Sequence, residues 1–461
     1  MIIDSPRRRE HLAAIRKRMP AHVQRLSWSA DQIKAERTRA LREMLAFAKA
    51  ESPWHASRLS RVDPDSFTAA DLQALPVMTK TDVMTKWDEI VTDRRLTLTD
   101  CNAHIAAKLT GTCKDYYYLD EYLVIATGGS SGVRGVFPWS WDEFIEIACV
   151  TFRYQLRDEP PEKLTGRRLL AVIEAGEIVH GSPFLFSISF DPAAPVRWFP
   201  ASAPIADLVA NLNEAQPTQI NSFASSLQEI GAEALAGRLK IRPHRVTANS
   251  EPLMPETRVA ARKAWDLEIN NMWGCVEVGH IGIECDAHEG LHASDDLVIT
   301  EFVDQDDRPT TNPDAIDRIL VTSLFGRTLP LIRYELTDVP VPADRPCSCG
   351  AAFPLIKSVA GRSDDIFVYP GDIHIHPLVF RTPLGQNSAI EQYQVHQTEH
   401  GARIGVIATG PIDVPALKQE LVAALAKAGL ADAEIEIDIV DTLERNKETG
   451  KLRRFIPLAK S

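Results

Sequence analysis

Residues Thr127 to Gly135 read TGGSSGVRG and follow the apolar run Tyr122 to Ala126. Four glycines and three hydroxyl side chains share nine positions. Glycine lets backbone N–H groups approach a ligand closely, and hydroxyls add donors, so such a loop suits phosphate. There is no G-K-[ST] ending and no G-x-G-x-x-G spacing, which excludes a Walker A loop and a dinucleotide fingerprint. Two readings stand on these residues alone: an ordinary turn, or the phosphate loop of another nucleotide-binding fold. A second group is Cys285 in ECDAHEGLH with Cys347 and Cys349 in CSCG. Thiolates with a histidine suit tetrahedral Zn2+ in a closed, structural site. His292 is the preferred fourth ligand and His288 the second choice; three unconnected reduced thiols is the alternative.

These groups need a scaffold. Up to about residue 100 the chain reads as mainly helical, with Ile33, Leu41, Met44, Leu45 and Phe47 forming a broad helical stripe. From about 120 to 360, short strands such as RRLLAVIEA alternate with helices such as SLQEIGAEALAG, which predicts α/β layers. In that helix Ser226 and Glu229 form a capping-box pattern, and Gly237 is its expected stop. The last hundred residues predict a small α+β module. RIGVIATG is a strand, Leu417, Leu421, Leu425 and Ala428 mark an amphipathic helix, and Ile435, Ile437 and Ile439 share one face of a half-buried strand.

Composition narrows the function. The 461 residues exceed one ordinary core and predict two or three domains. A net charge of −12 argues against a nucleic-acid partner. No apolar run is long enough to span a bilayer, and the basic N-terminus lacks a signal-peptide core, so a cytoplasmic protein without a membrane partner is expected. Seven cysteines fit reduced thiols or a metal site better than a disulfide framework.

Further segments bear on the loop. NSEPLMPETR, NMWGCVEVG, LPLIRYELTD, GRSDDIFVYPG and NKETGKLRRF occur in this order. Together with TGGSSGVRG they resemble the signature motifs of the adenylate-forming superfamily of acyl-CoA synthetases, adenylation domains and luciferases. SPWHASRL, LQALPVMTKTDV, IRY and CSCGAAFPLI are similar to the phenylacetate–CoA ligase branch. The resemblance runs from about residue 40 to the end. It implies an α/β N-terminal domain of mixed sheets and helices over 1–363, with the helical extension 1–100, and a small mobile α+β C-terminal domain over 364–461.

The resemblance also implies chemistry. A carboxylate attacks the α-phosphate of ATP, pyrophosphate leaves, and a thiol, usually that of coenzyme A, then displaces AMP. Thr127, Ser130 and Ser131 would hold phosphates. Glu277 would associate with Mg2+, which favours carboxylate oxygen. Ser250, Glu251 and Pro252 would line the adenine pocket, and Trp273 would stack on the base. Asp338 would accept both ribose hydroxyls, Arg362 would approach the ribose, and Asp364 would be the hinge. Lys451 would join carboxylate and phosphate oxygens during adenylation and leave by domain rotation. In this branch Cys285, His292, Cys347 and Cys349 would hold a structural Zn2+.

Three residues depart from the pattern. Val133 stands where the family's loop has lysine, Val276 replaces a hydroxyl before Glu277, and Thr337 replaces glycine before Asp338. The leading expectation is an ATP-dependent carboxylic acid–CoA ligase acting on an aromatic or arylacetic acid, with a homodimer suggested by resemblance. The alternatives are transfer to an amine, a carrier protein or another nucleophile, and a nucleotide-binding homologue with impaired catalysis.

Overall fold

The computed structural model describes residues 6–458 apart from 114, 116, 128–133, 161–167, 176–184, 186–194, 313–314, 388 and 448. Ser130, Ser131 and Val133 of the glycine-rich loop lie outside the described residues.

The N-terminal hundred residues are helical, as their periodicity predicts. A Ser29–Gln32 capping box opens the helix Ala30–Glu51, whose stripe buries Ile33, Leu41, Met44 and Leu45. Beyond it the strands follow in chain order. They are β1 (Tyr122–Ala126), β2 (Val136–Ser140), β3 (Leu170–Glu174), β4 (Val196–Pro200), β5 (Gln219–Phe223), β6 (Arg245–Asn249) and β7 (Ile269–Cys275). Next come β8 (Gly279–Glu284), β9 (Leu291–Ala293), β10 (Val298–Val303), β11 (Arg318–Ser323), β12 (Tyr334–Leu336), β13 (Asp338–Pro342) and β14 (Leu355–Arg362).

A nine-stranded sheet of order β13-β14-β9-β8-β7-β6-β5-β3-β4 is the main frame. From β4 to β7 its strands pair in parallel, and from β7 to β13 they pair antiparallel. Parallel pairing aligns the carboxyl ends of β3, β5 and β6, where open α/β sheets bind ligands. One face of these strands packs Ile173, Ile220, Val246, Ala248 and Ile269 into an apolar core with the helices Ile205–Ala215 and Ala224–Leu235.

The Ser226–Glu229 capping box does not form. The helix begins at Ala224, directly after β5, which places Ser226 in its first turn and buries it. Its Ser225 N–H donates instead to the Glu251 carboxylate at 2.8 Å, from the loop after β6. The end is as expected: the last helical residue is Leu235, and Gly237 takes φ 74°.

From Phe367 onward the chain builds a core of its own. It contains β15 (Phe367–Tyr369), β16 (Ile373–Ile375), β17 (Ile390–Gln397), β18 (Gly401–Ala408), β19 (Glu434–Ile439) and β20 (Phe455–Ile456). The last four form one sheet of order β19-β18-β17-β20. The helix Val414–Lys427, N-capped by Asp413, buries Leu417, Leu421 and Leu425 against it. The alternation in β19 decays along the strand: Ile435 is buried, Ile437 half-buried, and Ile439 58% exposed. β19 is the edge strand of its sheet.

Candidate active site

Glu277 sits at the tip of the β7–β8 hairpin and is buried. The hairpin is tight: a Cβ on Gly274 would stand 2.4 Å from the Gly279 carbonyl oxygen, so only glycine fits there. Trp273, just before it on β7, is also buried, and its indole stands close enough to Asp338 to draw that carboxyl's pKa down. It belongs to the apolar core that includes Val278 and Leu291.

Asp338 opens β13 and Arg362 closes β14, and the two are direct cross-strand partners. Burial pushes the Asp338 carboxyl up to about 6, against the opposing pull of the Arg362 guanidinium and the nearby Trp273 indole. Arg362 donates from Nε and Nη2 to Thr337 Oγ1 at 3.0 and 2.8 Å, and from Nη2 to Asp364 at 2.8 Å. Thr337 Oγ1 in turn donates to Asp364 at 3.0 Å. The expected hinge residue is thus tied to the residue that departs from the glycine pattern.

Lys451 arrives from the C-terminal module. Its loop closes on itself through Gly450 N–H to the Asn446 carbonyl at 2.8 Å and Asn446 N–H to the Lys451 carbonyl at 2.9 Å. Gly450 has φ 73°, and a Cβ there would stand 3.0 Å from the Ser202 nitrogen, so the loop lies directly on the backbone just after β4. The Lys451 ammonium lies 5.3 Å from the centroid of the Phe223 ring, at the carboxyl end of β5. Burial lowers its pKa, while Glu251, Glu174 and Glu277 oppose that shift and Arg362 adds to it.

Glu251 joins the two modules. One carboxylate oxygen takes the Ser225 N–H, and the other takes the Leu452 N–H at 2.9 Å. Ser250 beside it is exposed with φ 61°, and Pro252 is exposed. Arg445 adds a clamp, donating to Glu229 at 2.6 Å, to Ser225 Oγ at 3.1 Å and to the Gly450 carbonyl at 2.9 Å.

Sequence reading missed Lys80. Thr127 and Gly135 close the neck of the glycine-rich loop, with Thr127 N–H on the Gly135 carbonyl at 2.9 Å and Gly135 N–H on Thr127 Oγ1 at 2.8 Å. Lys80 Nζ donates to the same Thr127 oxygen at 3.1 Å. A cation therefore stands at the foot of a loop that has valine at its own lysine position. The Thr79–Asp82 capping box fixes Lys80 at the start of the helix Lys80–Thr85. No local signal links it to a residue 47 positions on.

The cysteines and histidine converge elsewhere. The ligand atoms of Cys285, His292, Cys347 and Cys349 all lie within 4.8 Å of one another. Cys285 and Cys347 sulfurs are 3.7 Å apart, and Cys349 Sγ is 3.4 Å from His292 Nε2. The edge of a tetrahedral zinc–thiolate site is about 3.8 Å, so this donor set fits that ion. His292 stacks on Tyr154 at 4.8 Å, and burial lowers its pKa to about 4, which keeps the ring neutral as a ligand must be. His288 is outside the group, 3.9 Å from Glu284.

No family model matches the chain. Phenylacetate-coenzyme A ligase of Thermus thermophilus is 24% identical over 131 residues, which are 28% of this chain and 29% of that protein. The match thus spans under a third of the relative's length. Among solved structures, 2-hydroxyisobutyryl-CoA ligase in the postadenylation state with R3-HIB-AMP aligns with TM-score 0.71 at 16% identity, over 95% of this chain and 92% of that one. The chain thus has the fold of this CoA ligase. The same ligase in its thioesterification state, with 2-HIB-AMP and CoA, aligns with TM-score 0.59 at 16% identity, over 94% and 91%. ATP-bound MatB from Rhodopseudomonas palustris aligns with TM-score 0.51 at 15% identity, over 70% and 65%.

Within this fold most of the described candidates gather in two places. Glu277, Asp338, Arg362, Asp364 and Lys451 form one electrostatically linked group, with Trp273 beside Asp338. The zinc-type group stands apart, packed with Leu26, Tyr154 and Phe353.

Proposed function

We propose that this chain is an ATP-dependent carboxylic acid ligase that forms an acyl-adenylate and then a thioester with coenzyme A. The observation that carries the reading is the docked Lys451 loop: a half-buried lysine whose ammonium stands over the carboxyl end of β5, in electrostatic reach of Glu277 and Arg362. Adenylation develops negative charge on phosphate and carboxylate oxygens, and a desolvated cation stabilises it more strongly than an exposed one. Lys80 and the hydroxyl of Thr127 would serve the departing phosphates. Asp338, flanked by Trp273 and Arg362, would accept the ribose hydroxyls. Mg2+ would be held at Glu277, where it would screen phosphate charge. Thr127 with Ser130 and Ser131, and Ser250 with Glu251 and Pro252, complete the expected nucleotide contacts. The Glu251 carboxylate serves first as the joint between modules.

The carbon skeleton suggested by the sequence resemblance is aromatic or arylacetic. The ligase aligns better in its postadenylation state than in its thioesterification state, which supports reading the docked arrangement as the adenylating one. Rotation about Asp364 would then withdraw Lys451 for thioester formation. Cys285, His292, Cys347 and Cys349 would hold a structural Zn2+.

The test is acid-dependent ATP–pyrophosphate exchange across aryl, arylacetic and aliphatic acids, with Lys451→Ala alongside. Exchange that requires an acid and disappears in the variant supports adenylation. ATP binding without exchange for any acid overturns it. Coenzyme A-dependent release of AMP then identifies the acceptor.

A further inference from the structure

The helix Trp141–Asp158 ends against the cysteine–histidine group. Tyr154, Arg157 and Asp158 stand at i, i+3 and i+4, so one face of its C-terminal end carries all three. The Tyr154 ring stacks on His292 at 4.8 Å. Asp158 Oδ2 accepts the N–H of Asp286, the residue after Cys285, at 3.1 Å. Arg157 Nη1 donates to Cys349 Sγ at 3.8 Å. Two of the four candidate ligands, and the backbone beside a third, thus meet one helix end.

These contacts are linked. Arg157 Nε donates to Asp158 Oδ1 at 2.6 Å, and its guanidinium lies 5.1 Å from the Tyr154 ring centroid. Asp158 therefore holds Arg157 with one oxygen and the Cys285 segment with the other. Charge explains the arrangement. Three thiolates and a neutral imidazole around Zn2+ leave a net negative site. Arg153, on the same helix, is committed to Asp296 at 2.8 and 3.0 Å. Among the described residues, Arg157 is the cation that donates to one of these sulfurs. A charge-assisted donor draws electron density from a thiolate and fixes its direction. A cation in the last turn also suits the helix dipole, which accounts for a charge there but not for its contact with sulfur.

We propose that Arg157 is a positioning residue of the zinc site, holding and partly neutralising the Cys349 thiolate while Asp158 fixes the guanidinium. This rests on the zinc reading above. The effect falls on one sulfur. Cys349 is half-buried, so a small electrophile can reach it, whereas Cys285 and Cys347 are buried. Without Arg157, Cys349 becomes the more nucleophilic thiolate and the other two keep their surroundings.

The experiment loads the full chain with Zn2+ or Co2+ and compares wild type with Arg157→Leu, which keeps part of the stem and removes donor and charge. Competition with a chromophoric chelator reads zinc affinity. Iodoacetamide labelling with peptide mass spectrometry reads each sulfur, and the thiolate-to-Co2+ absorption band reads electron density on sulfur. The variant is expected to bind zinc about tenfold more weakly, to label several-fold faster at Cys349 alone, and to move the Co2+ band to longer wavelength. Arg157→Lys, which keeps a charge and a donor, is expected to recover part of all three. If Arg157→Leu matches wild type throughout, or weakens affinity with band and labelling unmoved, the guanidinium is an ordinary helix-end cation; the proposal is overturned and the zinc reading stands. If wild type binds neither ion at these residues, both fall. Should Arg157→Leu fail to fold, Arg157→Gln must show the same shifts in smaller measure, and wild-type values there overturn the proposal.

Discussion

Asp338 and Arg362 are direct partners across the β13–β14 pair, and the guanidinium acts on the carboxylate electrostatically. Thr337 and Asp364 hold the guanidinium by hydrogen bonds, and Trp273 stands beside the carboxylate. The proposed nucleotide site and the expected hinge therefore share one short network.

This network predicts a pH dependence. The Asp338 carboxyl titrates near 6 because it is buried. Ribose recognition needs the ionised form, so ATP affinity should fall as pH drops through about 6. Asp338→Asn should bind about 100-fold more weakly, without that pH step. Calorimetric titration between pH 5 and 8 reads both. The same group acts on stability with the opposite sign. Its folded pKa is raised, so its contribution is fully present below the ordinary carboxylate range and is lost as pH rises through about 6.

Lys451→Ala should lower adenylation by roughly 100- to 1,000-fold while leaving thioester formation from a supplied acyl-adenylate unchanged. Gly450→Ala should mimic it in part, because the added methyl meets the backbone of Ala201 and Ser202. Single-turnover assays of the two half-reactions distinguish a lost ammonium from a loop held off its seat. A variant that slows both steps equally would contradict this division.

Lys80→Ala should raise KM for ATP and slow adenylation by about tenfold or more, with Lys80→Arg partly restored. Its contact is the Thr127 oxygen at the neck of the glycine-rich loop, so acid affinity should not change. Steady-state kinetics varying ATP and acid separately test this.

Arg445→Ala should weaken the docked arrangement, since one guanidinium joins Glu229, Ser225 and the Gly450 carbonyl. Adenylation should slow several-fold and thioester formation should not. Greater proteolytic sensitivity near the Ser363–Asp365 turn would accompany it; unchanged kinetics would show that Glu251 alone suffices as the joint.

Purified protein should carry one equivalent of zinc. Cys347→Ser should lose it and lower the melting temperature by about 5 °C or more, with acid selectivity unchanged. Elemental analysis with melting curves checks this, and metal-free wild type of unaltered stability would contradict it.

Much of the frame is legible in the chain itself. The stripe at Ile33 to Leu45, the alternation around Ile435 and the spacing of Leu417 to Leu425 each reflect a local period, which packing then used. The order of the short motifs also points to Glu277, Asp338, Arg362 and Lys451, through the family that those motifs resemble. Contacts across the fold are another matter. Ser226 and Glu229 have the spacing of a cap, yet the helix starts two residues earlier and Glu251 supplies its acceptor. Trp273 reads as a stacking surface, and only packing brings its indole beside Asp338. Lys80 and Thr127, or Arg157 and Cys349, are brought together only when strands and helices assemble. Periodicity and turn residues act between neighbours in sequence, so the sequence by itself determined the elements and, through resemblance, named the candidate groups. Charge and hydrogen-bond partners act between neighbours in space, so the tertiary structure alone decided which of those groups meet.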